Sequence, residues 1–542
     1  MPSHHLGARQ GLSLFATLLL WLACLTPSSQ AVAGTLEEIL PQLAERSFSA
    51  KLTAVESLAA STDARALPLL EALTAGELYT WDGTPPVVLG RRSGDSLRLT
   101  DPASGADLGE AASGTAKKIT LNNAMRVALR AAIAAGNLTS PDAALRLQAA
   151  RELLGSATPN AATALAAQLV QESDAEVRIA IALALAVSRL GSEDAGARLA
   201  AIETLTSSLY PEARNALQRV ADADPDAGVK AAAAKALSGI DGRLAWNARV
   251  ETLFFGLSLG SVLVLAAIGL AITFGVMGII NMAHGELMML GAYTTYLVQQ
   301  AMPGLLDYSL FVAIPAAFLV AGLFGIAIER TVIRFLYGRP LETLLATFGI
   351  SLVLQQLVRT FISAQNVVVQ NPSWMSGSWQ INPALALTHS RLYILAFSLL
   401  VFVVLLLILK RTALGLQVRA VSQNRSMARA MGIRSARVDA LTFGLGSGIA
   451  GVAGVALSQL TNVGPNMGQS YIIDSFMVVV FGGVGNLWGT LVGGMTLGVA
   501  NKLMEPWAGA VLAKILVLVF IILFIQKRPR GLFPQRGRAA ET

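Results

Sequence analysis

The sequence has few charged residues, one cysteine and four histidines among 542 residues. Asp, Glu, Lys and Arg make up 14% of the chain, whereas soluble globular proteins carry about 25%. This shortage argues against an ordinary soluble enzyme, a disordered chain or a nucleic-acid-binding protein. The one cysteine is Cys24, so a mature chain that starts after it has no disulfide, thiolate metal site or cysteine nucleophile.

The charged residues are unevenly distributed along the chain. The first 250 residues hold 25 acidic and 22 basic side chains, and the remainder holds 9 acidic and 19 basic ones. The basic excess therefore lies in the more apolar half, between long hydrophobic runs. Membrane topology explains this pattern better than nucleic-acid binding does. The length accommodates a membrane domain of about 290 residues and a soluble domain of about 200.

The N-terminus, residues 1–33, has the features of a secretory signal peptide. An apolar run at 12–25 is followed by the sequence Ala-Val-Ala at 31–33, which fits a cleavage site. An apolar run of about 14 residues is short for a membrane span, which needs about 20. An uncleaved first span and a lipoprotein signal at Cys24 are the alternatives. We expect the domain that follows, residues 34–245, to be exported.

The segment 34–245 is rich in Ala and Leu at helical spacing, which predicts a helical domain. Asp142 and Asp174 begin similar segments 32 residues apart, and Asp194 and Asp226 do the same. An aspartate at such a position can cap the helix that follows it. A period of this length predicts a HEAT-like solenoid of stacked helices, with a plain Ala-rich bundle as the alternative.

Residues 77–120 have a different composition from the helical segments around them. Tyr79, Trp81 and a Pro85-Pro86 pair are typical of short strands and turns. We expect a small β insertion here. Because the exported half contains neither His nor Cys after the signal peptide, binding or docking is a better hypothesis for it than catalysis, and a passive spacer is the alternative.

The remainder of the chain, residues 246–534, is predicted to be a polytopic α-helical membrane domain. Two stretches, 252–285 and 440–473, each contain 34 residues without Asp, Glu, Lys or Arg. No soluble core needs such runs, and each exceeds the length of a membrane span. We count eight or nine hydrophobic segments, at about 252–276, 283–301, 309–328, 341–362, 391–409, 438–460, 470–485, 488–505 and 508–526. The predicted fold class is therefore mainly α.

Loop charge predicts the orientation of these segments. Fifteen basic residues lie in three predicted inner segments, whereas the predicted outer loops hold almost no charge. Basic loops stay on the cytoplasmic side of a membrane, and an exported N-terminal domain independently gives the same orientation. We therefore expect a multi-pass inner-membrane protein in the lipid bilayer, with a periplasmic N-terminal domain and a cytoplasmic tail at 535–542.

A glycine-rich sequence, Gly446-Ser-Gly448-Ile-Ala-Gly451, matches the pattern of a dinucleotide-binding loop. It lies inside a membrane run and not after a strand, so we interpret it as a small-residue face for close helix packing. No phosphate-binding loop of the type G-x-x-x-x-G-K-[ST] occurs. We expect no cofactor, no metal and no enzymatic activity, and an ATP-driven process would need a separate ATPase chain.

Polar residues inside the membrane half are candidates for a substrate pathway, because such residues are more often functional than incidental. Asn281, His284 and Glu286 lie where the first two segments meet, Asp474 lies in a later segment, and Asn486 lies between two later segments. The absence of a third ligand and of an H-E-x-x-H sequence argues against a zinc site. A helix-capping polar turn, with Glu286 near the inner interface, is the alternative. Lys502 and Glu505, three residues apart, are expected to pair on one helix face.

The predicted inner loop at 410–439 is basic and amphipathic. It is expected to form one short helix, or two, with Gly432 at the C-terminal end. Docking on an ATPase is one interpretation of this loop. A surface helix on anionic lipid is the other.

Several motifs together resemble the permease subunits of the branched-chain amino acid ABC transporter family. The matching segments are Gly256–Ser261, Gly278–Glu286, Arg419–Ile433, Gly482–Gly489 and Arg528–Pro534. The resemblance covers about 251–534. It implies a second permease subunit, two ABC ATPase subunits and a periplasmic substrate-binding protein as partners. It also implies an ATPase-coupling role for residues of the inner loop, namely Arg419, Gln423, Asn424, Arg425, Arg429, Met431 and Gly432.

Two departures resemble the urea-transporting branch of that family. They are the exported extension of about 200 residues and the pair Gln423-Asn424, where the amino acid permeases tend to have acidic residues. Urea is a small neutral diamide, so its passage calls for amide and hydroxyl partners more than for paired charges. Import of a branched-chain amino acid or a short amide is the alternative. A membrane-tethered scaffold is an alternative of another class, but it needs only one or two spans.

Overall fold

A computed structural model of the chain shows its fold. It describes residues 35–61, 63–93, 96–112, 114–155 and 159–533. The chain divides into two compact units, one ending at Asp241 and the other beginning at Gly242. The predicted signal peptide and the predicted C-terminal tail lie outside the described residues. Both units are mainly helical.

The first unit contains nine helices that end before the unit boundary, within the part of the chain described. They are α1 Leu36–Ile39, α2 Phe48–Ala60, α3 Ala66–Ala75, α4 Asn123–Asn137, α5 Ala143–Leu153, α6 Pro159–Gln171, α7 Ala175–Arg189, α8 Ala195–Leu205 and α9 Pro211–Ala223. The side chains of Asp142, Asp174 and Asp194 accept hydrogen bonds from the first amides of α5, α7 and α8. The predicted capping role of these aspartates is therefore confirmed.

The repeat in this unit is longer than the 32-residue step in the sequence. Helices α5, α6 and α7 recur, 52 residues later, as α8, α9 and the start of the next helix, and Pro159 and Pro211 begin the middle helix of each group. Arg146 pairs with Glu172 at 2.8 Å, and Arg198 makes the equivalent pair with Asp224 at 2.9 Å. The 32-residue step is the distance from the first to the third helix within each group.

A five-stranded antiparallel sheet lies within the 77–120 segment. Its strands are β1 Leu78–Thr80, β2 Val87–Ser93, β3 Ser96–Thr100, β4 Asp107–Ala112 and β5 Lys117–Lys118, in the spatial order β4-β3-β2-β1-β5. Because side chains alternate along a strand, Leu78 and Val87 pack into the core of the helices. Tyr79 and Val88 face the other way, into a smaller apolar cluster.

The second unit is built from long helices, the first of which begins before the unit boundary. They are α10 Ala227–Met277, α11 His284–Ala301, α12 Ser309–Thr331, α13 Pro340–Phe361, α14 His389–Arg411, α15 Ala413–Gln423, α16 Arg425–Ala430, α17 Ser435–Ser458, α18 Met467–Gly482 and α19 Leu487–Lys527, with a hairpin of β6 Ser378–Asn382 and β7 Leu385–Thr388. In the described residues, six helical segments are long and apolar enough to cross a membrane. They are Ala227–Met277, Leu306–Phe335, Pro340–Phe361, His389–Arg411, Ser435–Ser458 and Leu487–Lys527.

Helix α10 passes through the position where the sequence predicted a domain boundary, between residues 245 and 246. The Ala-rich segment before that position and the apolar segment after it are both good helix formers. No Pro interrupts them, so one helix covers both.

The last helix, α19, is a pair of antiparallel arms. Gly509 interrupts it with a φ of +77°, in the left-handed region that favours glycine. The amide of Phe533 donates to the carbonyl of Gly482 at 3.1 Å, and Asn486 Nδ2 donates to the carbonyl of Phe533 at 3.2 Å. The two ends of α19 therefore lie together, and the chain reverses near Gly509. The sequence predicted two segments here.

The loops of the second unit gather at two ends of the helix bundle. At one end, Val276 of α10 packs with Val418 and Val421 of α15, and Gly275 lies against Gly485. The basic connection between α14 and α17 belongs to this end, which we call the basic end. At the opposite end, Gln299 bonds the backbone of Gln370, Asp307 bonds Ser373, and Arg359 bonds Asn466.

Helix α17 packs closely between α11 and α12 because glycines line its surface. A Cβ atom at Gly454 would fall on the carbonyl oxygen of Met288, and one at Gly451 would fall on the carbonyl oxygen of Ala317. Gly446, Gly448 and Gly451 thus lie inside a buried helix and not after a strand. The predicted small-residue packing face is confirmed.

Candidate functional site

A buried polar site lies where α11 begins. The side chain of Glu286 is fully enclosed, and its Oε1 atom accepts hydrogen bonds from Gln355 Nε2 at 2.7 Å and Ser351 Oγ at 3.1 Å. Its Oε2 atom has no hydrogen-bond partner among the described residues. A Cβ atom at Gly468 of α18 would lie 2.7 Å from this oxygen. The site is therefore formed by three helices, α11, α13 and α18, and keeps one free acceptor.

Helix α13 contributes a buried polar stripe to this site. Thr343, Thr347, Ser351 and Gln355 recur every four residues, so they share one helix face, and each is less than 5% exposed. Thr347 Oγ1 accepts a hydrogen bond from the amide of Met282 at 3.1 Å. These residues were not predicted from the sequence, although their four-residue spacing in an apolar helix is a signal that could have identified them.

Asn281 and His284 are also fully buried, next to the same turn. Asn281 Oδ1 accepts a hydrogen bond from the amide of Ala283 at 3.0 Å, while its Nδ2 atom has no partner in the part of the chain described. His284 Nε2 lies 2.8 Å from the carbonyl oxygen of Ala266 on α10. Glu286 faces α13 instead. The structure therefore places His284 and Glu286 against different helices.

Asp474 and Asn486 lie apart from the Glu286 site. Asp474 of α18 forms an ion pair with Lys514 of α19 at 3.2 Å. Asn486 Oδ1 caps the start of α19, where it accepts hydrogen bonds from the amides of Trp488 and Gly489. In the part of the chain that the structure describes, the hydrogen bonds of the Glu286 side chain come from Gln355 and Ser351, and not from Asp474 or Asn486.

Another expectation for the second unit concerns a pair of charged side chains. Lys502 and Glu505 pair at 2.5 Å, as their spacing predicted. Among the described residues, no three His, Cys, Asp or Glu side chains are grouped as a metal site would require.

The basic connection between α14 and α17 forms two short helices, which was one of the two predicted arrangements. Asn424 separates them and caps α16, because its Oδ1 accepts a hydrogen bond from the amide of Met427 at 3.0 Å. Gly432 follows α16 with a φ of +86°, which suits a residue just after a helix end. We call α15, α16 and the residues up to Arg434 the coupling loop, after the role that the resemblance to the permease family implies for it.

The coupling loop has one buried and one exposed face. Val418, Val421 and Ala428 pack with Val438 of α17 in a small apolar cluster. On the other face, Leu416, Met427 and Met431 are 62%, 60% and 77% exposed. The exposed face also carries Arg419, Gln423, Asn424, Arg429 and Gly432. An apolar surface with basic and amide groups around it is suited to contact another protein.

Comparison with known proteins places the second unit in a family. The family described as the branched-chain amino acid transport system permease component matches residues 252–525. The high-affinity branched-chain amino acid transport system permease protein LivH of Escherichia coli is 31% identical over 293 residues, which are 52% of this chain and 94% of the relative. BraD of Pseudomonas aeruginosa, with the same description, is 31% identical over 52% of this chain and 95% of its own length.

A more distant relative is the probable branched-chain amino acid transport permease protein LivH of Methanocaldococcus jannaschii. It is 24% identical over half of this chain and 88% of its own length. No solved structure matches the chain. The family consists of membrane-spanning transport components and not enzymes. Because the family match covers half of the sequence, and the chain covers nearly all of each 31% identical relative, the chain belongs to the branched-chain amino acid transport permease family.

Proposed function

We propose that this chain is the membrane-spanning permease subunit of a binding-protein-dependent ABC importer. It couples ATP hydrolysis on two partner ATPases to the inward movement of a substrate, and it pairs with a second permease subunit. The substrate reaches it from a periplasmic binding protein. The names of its relatives support a permease role, and the shortage of charged and catalytic side chains agrees with transport.

The buried Glu286 site carries this proposal. Carboxyl, amide and hydroxyl groups enclosed within an apolar helix bundle are costly, so they are kept where they serve a pathway or a gate. The free Oε2 atom of Glu286 and the free Nδ2 atom of Asn281 supply one acceptor and one donor. We assign the substrate pathway to Asn281, His284, Glu286, Asp474 and Asn486, with Ser351 and Gln355 added. Among these, the three partners Glu286, Ser351 and Gln355 form its centre.

Urea is the proposed substrate. The N-terminal unit and the pair Gln423-Asn424 support urea through their resemblance to the urea-transporting branch. The hydroxyl and amide groups of α13 suit a neutral diamide, which needs hydrogen bonds and no counter-charges. A branched-chain amino acid is the second candidate, because the printed names of the relatives describe that substrate.

The proposed topology has nine membrane segments. The arms of α19 count as two, α11 and α18 count as one each, and the others are α10, α12, α13, α14 and α17. An odd number of membrane crossings places the N-terminal unit and the C-terminal tail at 535–542 on opposite sides of the membrane. The basic end then faces the cytoplasm. The N-terminal unit, proposed to be a HEAT-like helical domain, is exported after cleavage of the signal peptide at 1–33 and lies in the periplasm of a bacterial cell.

The coupling loop is the proposed contact for the ATPases. Its exposed apolar side chains and its basic groups support this assignment, which covers Arg419, Gln423, Asn424, Arg425, Arg429, Met431 and Gly432. A lipid-surface helix is the competing interpretation. A scaffold that anchors an exported domain is the alternative of another class. Purification of the chain without any ATPase partner would favour the scaffold.

The deciding experiment is ATP hydrolysis by the reconstituted complex, with its binding protein, in proteoliposomes. We expect urea to stimulate hydrolysis and leucine to have no effect. Stimulation by leucine alone would assign the chain to amino acid import. Stimulation by neither would contradict both candidate substrates.

A further inference from the structure

A series of contacts joins the coupling loop to two long helices at the basic end. Arg425, the first residue of α16, forms an ion pair with Asp439 of α17. The guanidinium carbon of Arg425 lies 4.3 Å from the ring centre of Tyr337, which is between α12 and α13. The hydroxyl of Tyr337 donates to Glu329 Oε1 of α12 at 3.3 Å. We call Arg425, Asp439, Tyr337 and Glu329 the relay.

The two acidic side chains of the relay are enclosed by protein, whereas Arg425 is partly exposed. The side chains of Asp439 and Glu329 are 0% and 1% exposed, and that of Arg425 is 31% exposed. Burial, together with the nearby carboxyl groups, raises the pKa of Tyr337 well above its usual value. The phenol therefore stays protonated and remains a hydrogen-bond donor to Glu329.

A buried ion pair contributes little net stability when compared with apolar side chains of similar volume. Its removal on one side only is strongly destabilising, because a buried charge is then left without a partner. Asp439 is fully buried, so the Arg425–Asp439 pair holds the first residue of α16 against α17. A displacement of α16 can pass to α17 only if the two helices are held together in this way.

Helix α17, one of the helices that the relay joins, is packed against α11. A Cβ atom at Gly325 of α12 would fall on Ser447 of α17, and Gly454 of α17 lies on the backbone of Met288 in α11. Closely packed interiors pass on a displacement and do not absorb it. Because α11 also carries Glu286, a shift of α16 reaches the helix that forms the centre of the site.

We infer that Arg425 is a positioning residue, which passes a displacement of the coupling loop to α12 and α17. This inference rests on the proposed function, and it names the contact through which the ATPases act on the substrate pathway. The other basic contacts of the loop are more local. Arg419 bonds the carbonyl of Leu409 on α14, and Arg429 Nε donates to Ser435, the first residue of α17, at 2.7 Å.

The test measures substrate uptake and ATP hydrolysis separately, in proteoliposomes that hold the full complex and its binding protein. The main variant is R425L/D439L, which removes both charges and leaves no buried charge unpaired. The matched control is R339L/E342L, which removes an exposed ion pair with 65% and 55% exposed side chains at the same end. Radiolabelled urea and radiolabelled leucine are assayed in parallel.

We expect R425L/D439L to retain its ATPase partners while uptake per ATP hydrolysed falls about tenfold. The control should match the wild type. A second variant, R425K, keeps the charge but loses the planar guanidinium that stacks on Tyr337, and we expect a smaller loss of uptake per ATP. If R425L/D439L does not assemble, R425K alone decides the question.

Wild-type uptake per ATP in R425L/D439L, or in R425K where the double variant does not assemble, would overturn the role of Arg425 and leave the proposed function intact. A failure of the wild-type complex itself would count against the proposed function. If the wild-type complex moves neither urea nor leucine on addition of ATP, the proposed function is wrong, and the role of Arg425 falls with it.

Discussion

Gln355 and Glu286 lie 69 positions apart in the sequence and are joined by a hydrogen bond of 2.7 Å between Nε2 and Oε1. This bond connects α13 to the start of α11 inside an apolar bundle. A second bond, from Ser351, reaches the same oxygen atom. The carboxyl group of Glu286 is therefore held through one oxygen, while its other oxygen has no hydrogen-bond partner among the described residues.

Replacement of Gln355 tests this site most simply. In Q355L, Glu286 loses its shorter hydrogen bond, and a lost bond to a buried carboxyl group costs about 1.5–3 kcal/mol. We expect uptake to fall at least about tenfold, as measured with radiolabelled urea in proteoliposomes. Q356L is the matched control, because Gln356 is the next residue and is exposed. If Q355L and Q356L take up urea equally well, the Glu286 site is not part of the substrate pathway.

The close packing of α17 predicts a strong effect of a single added methyl group. A Cβ atom at Gly454 would overlap the carbonyl oxygen of Met288, so G454A must push α11 and α17 apart. Overpacking of this kind costs about 1–3 kcal/mol. We expect a lower melting temperature of the detergent-solubilised protein. G349A, on α13, is the control, because the added atom meets nothing within 4 Å. A melting temperature of G349A below that of G454A would contradict this explanation.

The stability of the N-terminal unit should depend on pH because of Glu172. Its hydrogen bonds with the Arg146 guanidinium lower the pKa of Glu172 from 4.5 to about 2 in the folded state. A lowered pKa stabilises the fold at pH values above the unfolded-state pKa. This stabilisation is then lost as the pH falls from about 4.5 towards 2.

Amide hydrogen exchange of α5 and α7 in the full-length protein, corrected for intrinsic rates, measures this stabilisation. We expect E172Q to lower protection at pH 6 and to remove most of the loss between pH 4.5 and pH 2. E176Q is the control, because Glu176 is 69% exposed in its pair with Arg151 and exposed pairs contribute little. An identical pH profile in E172Q and the wild type would show that the pair is not the cause.

The exposed face of the coupling loop should decide ATPase binding. In M427D/M431D, two exposed apolar side chains become charged, so a hydrophobic contact with the ATPases is lost. We expect the tagged permease to purify with at least about tenfold less ATPase. L305D changes a 54% exposed leucine at the opposite end and should retain normal amounts. Retention of the ATPases by M427D/M431D would favour the lipid-surface interpretation of the loop.

The sequence predicted the helical segments of the second unit well, because long charge-free runs mark them directly. The predicted segments at 283–301 and 341–362 differ by one residue at each start from His284–Ala301 and Pro340–Phe361, and the same two helices end within one residue of the prediction. The pair of Lys502 with Glu505 was also predictable, since i and i+3 residues share a helix face. Local patterns of this kind need no knowledge of tertiary contacts.

The contacts of the candidate site were harder to predict. Glu286 was identified as a polar residue in an apolar region, but its partners come from α13 and could not be found by local spacing. The relay was missed for the same reason, since Arg425 and Tyr337 meet only through tertiary folding. The repeat of the N-terminal unit was underestimated, because two similar helix starts within one group resemble a complete period.

The central claim is that the N-terminal unit and the coupling loop lie on opposite sides of the membrane. Cysteine labelling tests it directly. In a chain whose one cysteine is replaced, C24S, the variants S207C and S426C each place a thiol at an exposed position, in the N-terminal unit and in the coupling loop. Spheroplasts of an expressing bacterium are treated with a membrane-impermeant maleimide. The account predicts that S207C reacts in intact spheroplasts and S426C only after permeabilisation, and labelling of both from the same side would contradict it.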